Sequence, residues 1–156
     1  MVILLDASMS SQKLTSAKEA ANFIEKQGFS DPVSDKISVV AFKEFPTAVR
    51  TILPNKMEEE DFDAEQIEHL EGPLSDGISG NVSRAVEKGL NLLMSQEGES
   101  ENTQKMIFLL TDGHSYTNDE EAAKNCLSYV KDLSEMSGVP IHTLGIGFDA
   151  DMGFLR

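Results

Sequence analysis

Cysteine is nearly absent. Cys126 stands alone, so no disulfide can close within the chain. A reducing compartment is consistent with that, and the expectation leans towards the cytoplasm. Tryptophan is missing and aromatic residues make up 6% of the chain, so phenylalanine and leucine carry most of the core bulk. No apolar run approaches the ~20 residues that a membrane-spanning helix needs. No basic segment precedes the apolar residues at the N-terminus, so a secretory signal is not expected there. Basic residues are also scarce, 13 against 27 acidic ones, for a formal charge of −14. Non-specific binding of nucleic acid and docking on anionic lipid both rely on Lys and Arg, and this balance argues against both. The acidity itself need do no more than keep the protein soluble. Neither an internal repeat nor an inter-domain linker is found, and 156 residues suit a single domain over residues 1–156.

What is present alternates between two patterns. Val2 to Leu5 is a short apolar run of the kind a buried strand shows. Gln12 to Gln27 places Leu14, Ala17, Ala21 and Ile24 on one helical face, and Gly28 is suited to stop that helix. Lys36 to Phe42 reads as a second strand. Thr47 to Leu53 follows closely, half-polar, and reads as an antiparallel edge strand of a hairpin. Met57 to Leu70 is strongly acidic and can hold a short surface helix. Glu71 to Gly80 is a glycine-punctuated loop, after which Ser79 or Asn81 can cap a helix bearing Val82, Val86, Leu90 and Leu93. Lys105 to Leu110 is the best candidate for a central parallel strand. Asp119 to Met136 is amphipathic through Ala122, Ala123, Cys126, Val130 and Leu133. Ile141 to Phe148 is the last strand, and the methionines, Met106 and Met136 among them, read as packing. Such alternation predicts an α/β fold: a doubly wound, mostly parallel open sheet with helices on both faces and one antiparallel edge strand.

Ligands of open α/β sheets bind beyond the carboxyl ends of the strands, where the strand order reverses. Two oxygen-rich loops stand there. Asp6-Ala7-Ser8-Met9-Ser10 follows the first strand and offers one carboxylate and two hydroxyls at alternate positions. Thr111-Asp112-Gly113-His114 follows the central strand. If the two strands are neighbours, the carboxylates of Asp6 and Asp112 converge. Ser10 or Ser11 could equally be the N-cap of the following helix. Oxygen donors of this kind suit a hard divalent cation, best Mg2+, with Mn2+ or Ca2+ as alternatives. With two neutral hydroxyls in the set, the ion would stay electrophilic and could accept an acidic oxygen from a partner. His69, His114 and His142 are scattered: His114 could line the rim or be a plain loop histidine, and His142, within a strand, reads as structural.

Asp6-x-Ser8-x-Ser10 after an apolar strand, with Leu109-Leu110-Thr111-Asp112-Gly113 after a later one, resembles the von Willebrand factor type A domain and its metal-ion-dependent adhesion site. The resemblance runs from Met1 to Phe148. It implies a Rossmann-like fold, a metal site at Asp6, Ser8, Ser10 and Asp112, some ligands acting through water, and a role in protein binding or adhesion. It also implies that the family's usual last helix and edge strand would lie beyond Arg156. One departure concerns the loop before the middle helix, where the family usually places a Thr ligand. Here Leu74 to Val82 holds no Thr, and two registers fit. One puts Asp76 at that position as a third carboxylate; the other puts Gly80 there and leaves water.

The expected function is a binding module, not an enzyme, that docks a protein partner's carboxylate through the bound cation. A metal-independent scaffold within a larger protein is an alternative. A Mg2+-dependent phosphotransfer enzyme is less favoured. A dehalogenase-type phosphatase wants a second Asp where Ser8 stands, and no P-loop motif or Ser–His pairing is found.

Overall fold

The computed structural model describes residues 1–28, 36–43, 46–52, 81–95, 103–114 and 119–155. Their elements run β1 (Val2–Asp6), α1 (Ser11–Gly28), β2 (Ile37–Phe42), β3 (Pro46–Ile52), α2 (Val82–Met94), β4 (Ile107–Thr111), α3 (Glu120–Ser137) and β5 (Ile141–Gly145). The strands among these residues form one five-stranded sheet in the order β3-β2-β1-β4-β5. β1 pairs in parallel with β2 on one side and β4 on the other, and β4 pairs in parallel with β5. β3 is the antiparallel edge expected from its half-polar sequence, with a register irregularity between Val39 and Val40. The acidic stretch from Met57 to Leu70 and the loop from Glu71 to Gly80 lie outside the described residues.

β1 is central and buried on both sides, so its alternation sorts the core into two layers. Val2 and Leu4, with Val40 and Phe42 of β2, pack against Val82, Ala85, Val86, Leu90 and Leu93 of α2. Ile3 and Leu5, with Ile37 and Val39, pack against Leu14, Ala17 and Ala21 of α1. The apolar spacing of α1 and α2 thus faces the sheet as their sequences require. Asn81 caps α2, its side-chain oxygen accepting from the Arg84 N–H at 3.1 Å. Asp119 does the same for α3 through Ala122 at 2.9 Å. Gly138 ends α3 in the left-handed region at φ 67°.

α3 is covered less than its sequence pattern suggests. Cys126 is buried and accepts from the Ser83 hydroxyl at 3.1 Å, but Ala123, Val130 and Leu133 are only partly covered. Met136, expected to pack, is 86% exposed, because its position turns away from the sheet. The last strand is also shorter than its apolar pattern. It stops at Gly145, since Gly147 adopts φ 96° and turns the chain, leaving Phe148 in solvent. His142 lies in β5 and stacks on Phe108, with ring centroids 5.2 Å apart.

α2 approaches the sheet closely at Gly89. A Cβ there would lie 3.3 Å from Ile107 Cδ1 and Leu4 Cδ2, and 3.4 Å from Val2 Cγ1. These neighbours are fully buried and have little room to yield. Gly89→Val is expected to destabilise the fold by about 1–3 kcal/mol through overpacking. Urea unfolding followed by circular dichroism measures this as a lower midpoint with an unchanged slope.

Candidate functional site

The chain leaves β1 for β2 on one side of the sheet and later enters β4 on the other. The strand order therefore reverses between β1 and β4, and Asp6 and Asp112 stand at their carboxyl ends. Asp6 is completely buried. Its Oδ1 accepts from the Ser8 N–H at 2.9 Å and from the Ser8 hydroxyl at 2.5 Å. Its Oδ2 accepts from the Thr111 hydroxyl at 2.6 Å, a bond that crosses from β4 to β1. Burial pushes the Asp6 carboxyl above its usual range. The hydrogen bonds from Ser8 and Thr111 pull the other way, and the nearby charge of Asp112 adds to the rise.

The β4 loop is shaped by Gly113, which sits at φ 79° with the Asp151 carbonyl 3.0 Å from where its Cβ would be. Only glycine takes this conformation readily. The turn lets the Gly113 N–H donate to the Thr111 hydroxyl at 3.1 Å and the His114 N–H donate to Asp112 Oδ1 at 3.1 Å. The Asp112 carbonyl in turn accepts from the Asp151 N–H at 2.8 Å, tying the loop to the segment after β5.

Three residues that pattern alone does not single out complete the arrangement. Thr111 is one, through its hydroxyl. The others are Lys13 and Asp149. The Lys13 ammonium donates to Asp112 Oδ2 at 2.8 Å and to Asp149 Oδ2 at 2.9 Å. The hydrogen bond to Asp112 raises the Lys13 pKa above that of a free lysine despite partial desolvation. The same ammonium lowers that of Asp149. One signal for Lys13 does exist in the chain. It lies in the first turn of α1, which holds no acidic residue, and a cation there opposes the helix dipole unless an anion receives it.

Of the expected ligands, Asp6 and Ser8 are joined to Thr111 of β4 by hydrogen bonds, and Asp112 follows Thr111, its charge close enough to act on Asp6. Ser10 is exposed, and its carbonyl accepts from the Leu14 N–H at 2.8 Å, the backbone bond of the position before α1. Asp76 lies outside the described residues. His114 does reach the rim, its Nε2 lying 2.8 Å from the Asp149 carbonyl. Among the described residues no group of three from His, Cys, Asp and Glu gathers as a metal cluster. The donor set here is carboxylate and hydroxyl oxygen, the chemistry that suits a hard divalent cation. An ammonium already bridges two of the carboxylates, so the spot attracts positive charge.

A family model described as the von Willebrand factor type A domain matches residues 1–156. No curated protein matches the chain. Solved structures do. Manganese-loaded TRAP protein of Plasmodium vivax is 16% identical at a TM-score of 0.65, over 99% of this chain and 59% of its own. A von Willebrand factor type A protein from Catenulispora acidiphila is 19% identical at 0.63, over 99% of this chain and 34% of its own. Proximal thread matrix protein 1 from the mussel byssus, with a zinc-occupied MIDAS motif, is 17% identical at 0.60, over 99% of this chain and 39% of its own. The chain therefore spans less than two thirds of the length of each of these neighbours.

Proposed function

Because the chain belongs to the von Willebrand factor type A domain family, we propose that it is a protein-interaction module whose docking depends on a divalent cation held between β1 and β4. The observation that carries this reading is the hydrogen bond from Thr111 to Asp6 across adjacent strand ends where the strand order reverses, with Asp112 next in the chain and its charge acting on Asp6. Asp6, Ser8, Ser10 and Asp112 would hold the ion, directly or through water, with Asp76 as a further candidate. The ion would supply an electrophilic contact for an acidic side chain on a protein partner. Mg2+ suits an oxygen-only set with few charged ligands, and Mn2+ or Ca2+ can replace it. The manganese of the Plasmodium protein and the zinc of the mussel protein support a divalent ion at such a site.

Ser8 speaks against a dehalogenase-type phosphatase, because it stands where that chemistry would need a second carboxylate, and its hydroxyl is engaged by Asp6. Among the described residues no helix is long and apolar enough to cross a membrane.

Affinity capture in Mg2+, compared with capture in chelator, tests the function. Partners retained with Mg2+ and lost with chelator are expected, whereas identical capture in both would overturn metal-dependent docking. The site itself is tested by Ser8→Ala combined with Ser10→Ala. Calorimetry is expected to record a loss of Mn2+ affinity of about 10–100-fold. An unchanged affinity would remove the first loop from the site.

A further inference from the structure

Lys13 joins three separate parts of the chain. It starts on α1, and its ammonium spans the carboxylates of Asp112 after β4 and Asp149 after β5. The contact is built rather than incidental to an exposed side chain. The Lys13 side chain is 19% exposed and that of Asp112 is 11% exposed. Gly147 leaves the passage through which the lysine stem runs. A Cβ at that position would lie 3.0 Å from Lys13 Cε and 2.9 Å from Asp149 Oδ1. Asp112 is at the same time one of the two carboxylates that flank the switch point. An ammonium and a divalent ion on this one carboxylate would repel each other at close range.

We propose that Lys13 is a tethered competitor at the cation site, holding Asp112 and Asp149 until a divalent ion displaces it. This rests on the metal-site reading above. Ion entry then requires the ammonium to leave Asp112, which also releases the link between α1 and the loop after β4. The site consequently fills only above a threshold of divalent ion, and that threshold is set by how firmly Lys13 is held. A site whose open form is populated to about one tenth binds its ligand about tenfold more weakly than the open form alone.

Chelator-stripped protein titrated with Mn2+ by calorimetry tests the proposal. Lys13→Met keeps the stem and removes the charge, and is expected to bind Mn2+ about tenfold more tightly than the wild type, or to bind where the wild type does not. Lys13→Gln is a second variant with the same expected direction. Lys26→Met makes the same change of net charge in the last turn of α1. That position is about 20 Å along the helix, beyond the ~10 Å over which salt leaves exposed charges coupled. Its affinity is expected to match the wild type. Equal or weaker binding by both Lys13 variants, or equal tightening by Lys26→Met, would overturn the competition while leaving the metal site in place. No binding by any of the four proteins would overturn the metal site, and the competition with it.

Discussion

Asp6→Asn is expected to separate folding from metal binding. In chelator the variant should melt at a higher temperature than the wild type. With divalent ion present it should bind at least about 100-fold more weakly, since even changes to residues behind a metal ligand cost up to that much. The first expectation follows from burial. Asp6 is fully enclosed, and desolvation raises its pKa despite three hydrogen bonds. Asparagine imitates the protonated carboxyl and can still accept from Ser8, while its amide can donate to the Thr111 hydroxyl oxygen. Each ~1 kcal/mol of relieved burial cost should appear as about 2–4 °C in a chain of this size.

The pH dependence has a definite sign. The folded pKa lies above the ordinary 3.8, so the folded state holds the proton more tightly than the unfolded chain does. The stability cost of the wild-type carboxylate is fully present above the raised folded pKa and disappears below the unfolded one. The melting difference between Asp6→Asn and the wild type should therefore be largest near neutrality and close as pH falls through that window. Differential scanning calorimetry across the range checks it. A difference independent of pH would show that the buried charge is not its source. Asp149, whose pKa is lowered by Lys13, works in the other direction, but it is present in both proteins and cancels from the comparison.

Phe42→Ala is expected to be among the most damaging single changes to the fold. Phe42 is the largest of the fully buried side chains among the described residues and packs in the α2 layer at the end of β2. It also lies in register with Asp6, and its carbonyl accepts from the Ala7 N–H at 2.9 Å. Truncation removes its contacts and leaves a cavity beneath the site, a loss of about 3–5 kcal/mol. Against a total stability of about 5–15 kcal/mol this is a large fraction, and it corresponds to roughly 6–20 °C in Tm. Thermal melting in chelator measures the fold alone. A drop of under ~1 kcal/mol would mean that the layer closes without this ring.

The mostly parallel sheet with its antiparallel edge, and the sheet-facing sides of α1 and α2, were legible in the chain, as was the placing of Asp6 and Asp112 at strand ends. Each follows from periodicity and from the rule that sheet ligands gather where strand order reverses. Val2 to Leu5 has the apolar run of a buried strand, and Leu14, Ala17 and Ala21 fall on one helical face, which the structure lays against that strand. The partners of the site were less legible for a physical reason. Lys13 and Asp149 are 136 positions apart, and their approach depends on the left-handed turn at Gly147, which no local pattern encodes. Thr111 was visible as a loop residue, yet its bond to Asp6 crosses two strands and appears only once β1 and β4 are paired. Met136 reads as packing because it is apolar, and Phe148 reads as the end of the last strand for the same reason, yet both stand in solvent. A folded surface keeps many apolar atoms in water, so an isolated large side chain says little about the core.

Crystals of the chain soaked in Mn2+ would test the central claim most directly, since anomalous scattering locates the ion itself. One peak is expected between the ends of β1 and β4, coordinated directly or through water by Asp6, Ser8, Ser10 and Asp112, with the Lys13 ammonium moved off Asp112. A well-ordered site with no anomalous peak there, and Lys13 still bridging Asp112 and Asp149, would contradict it.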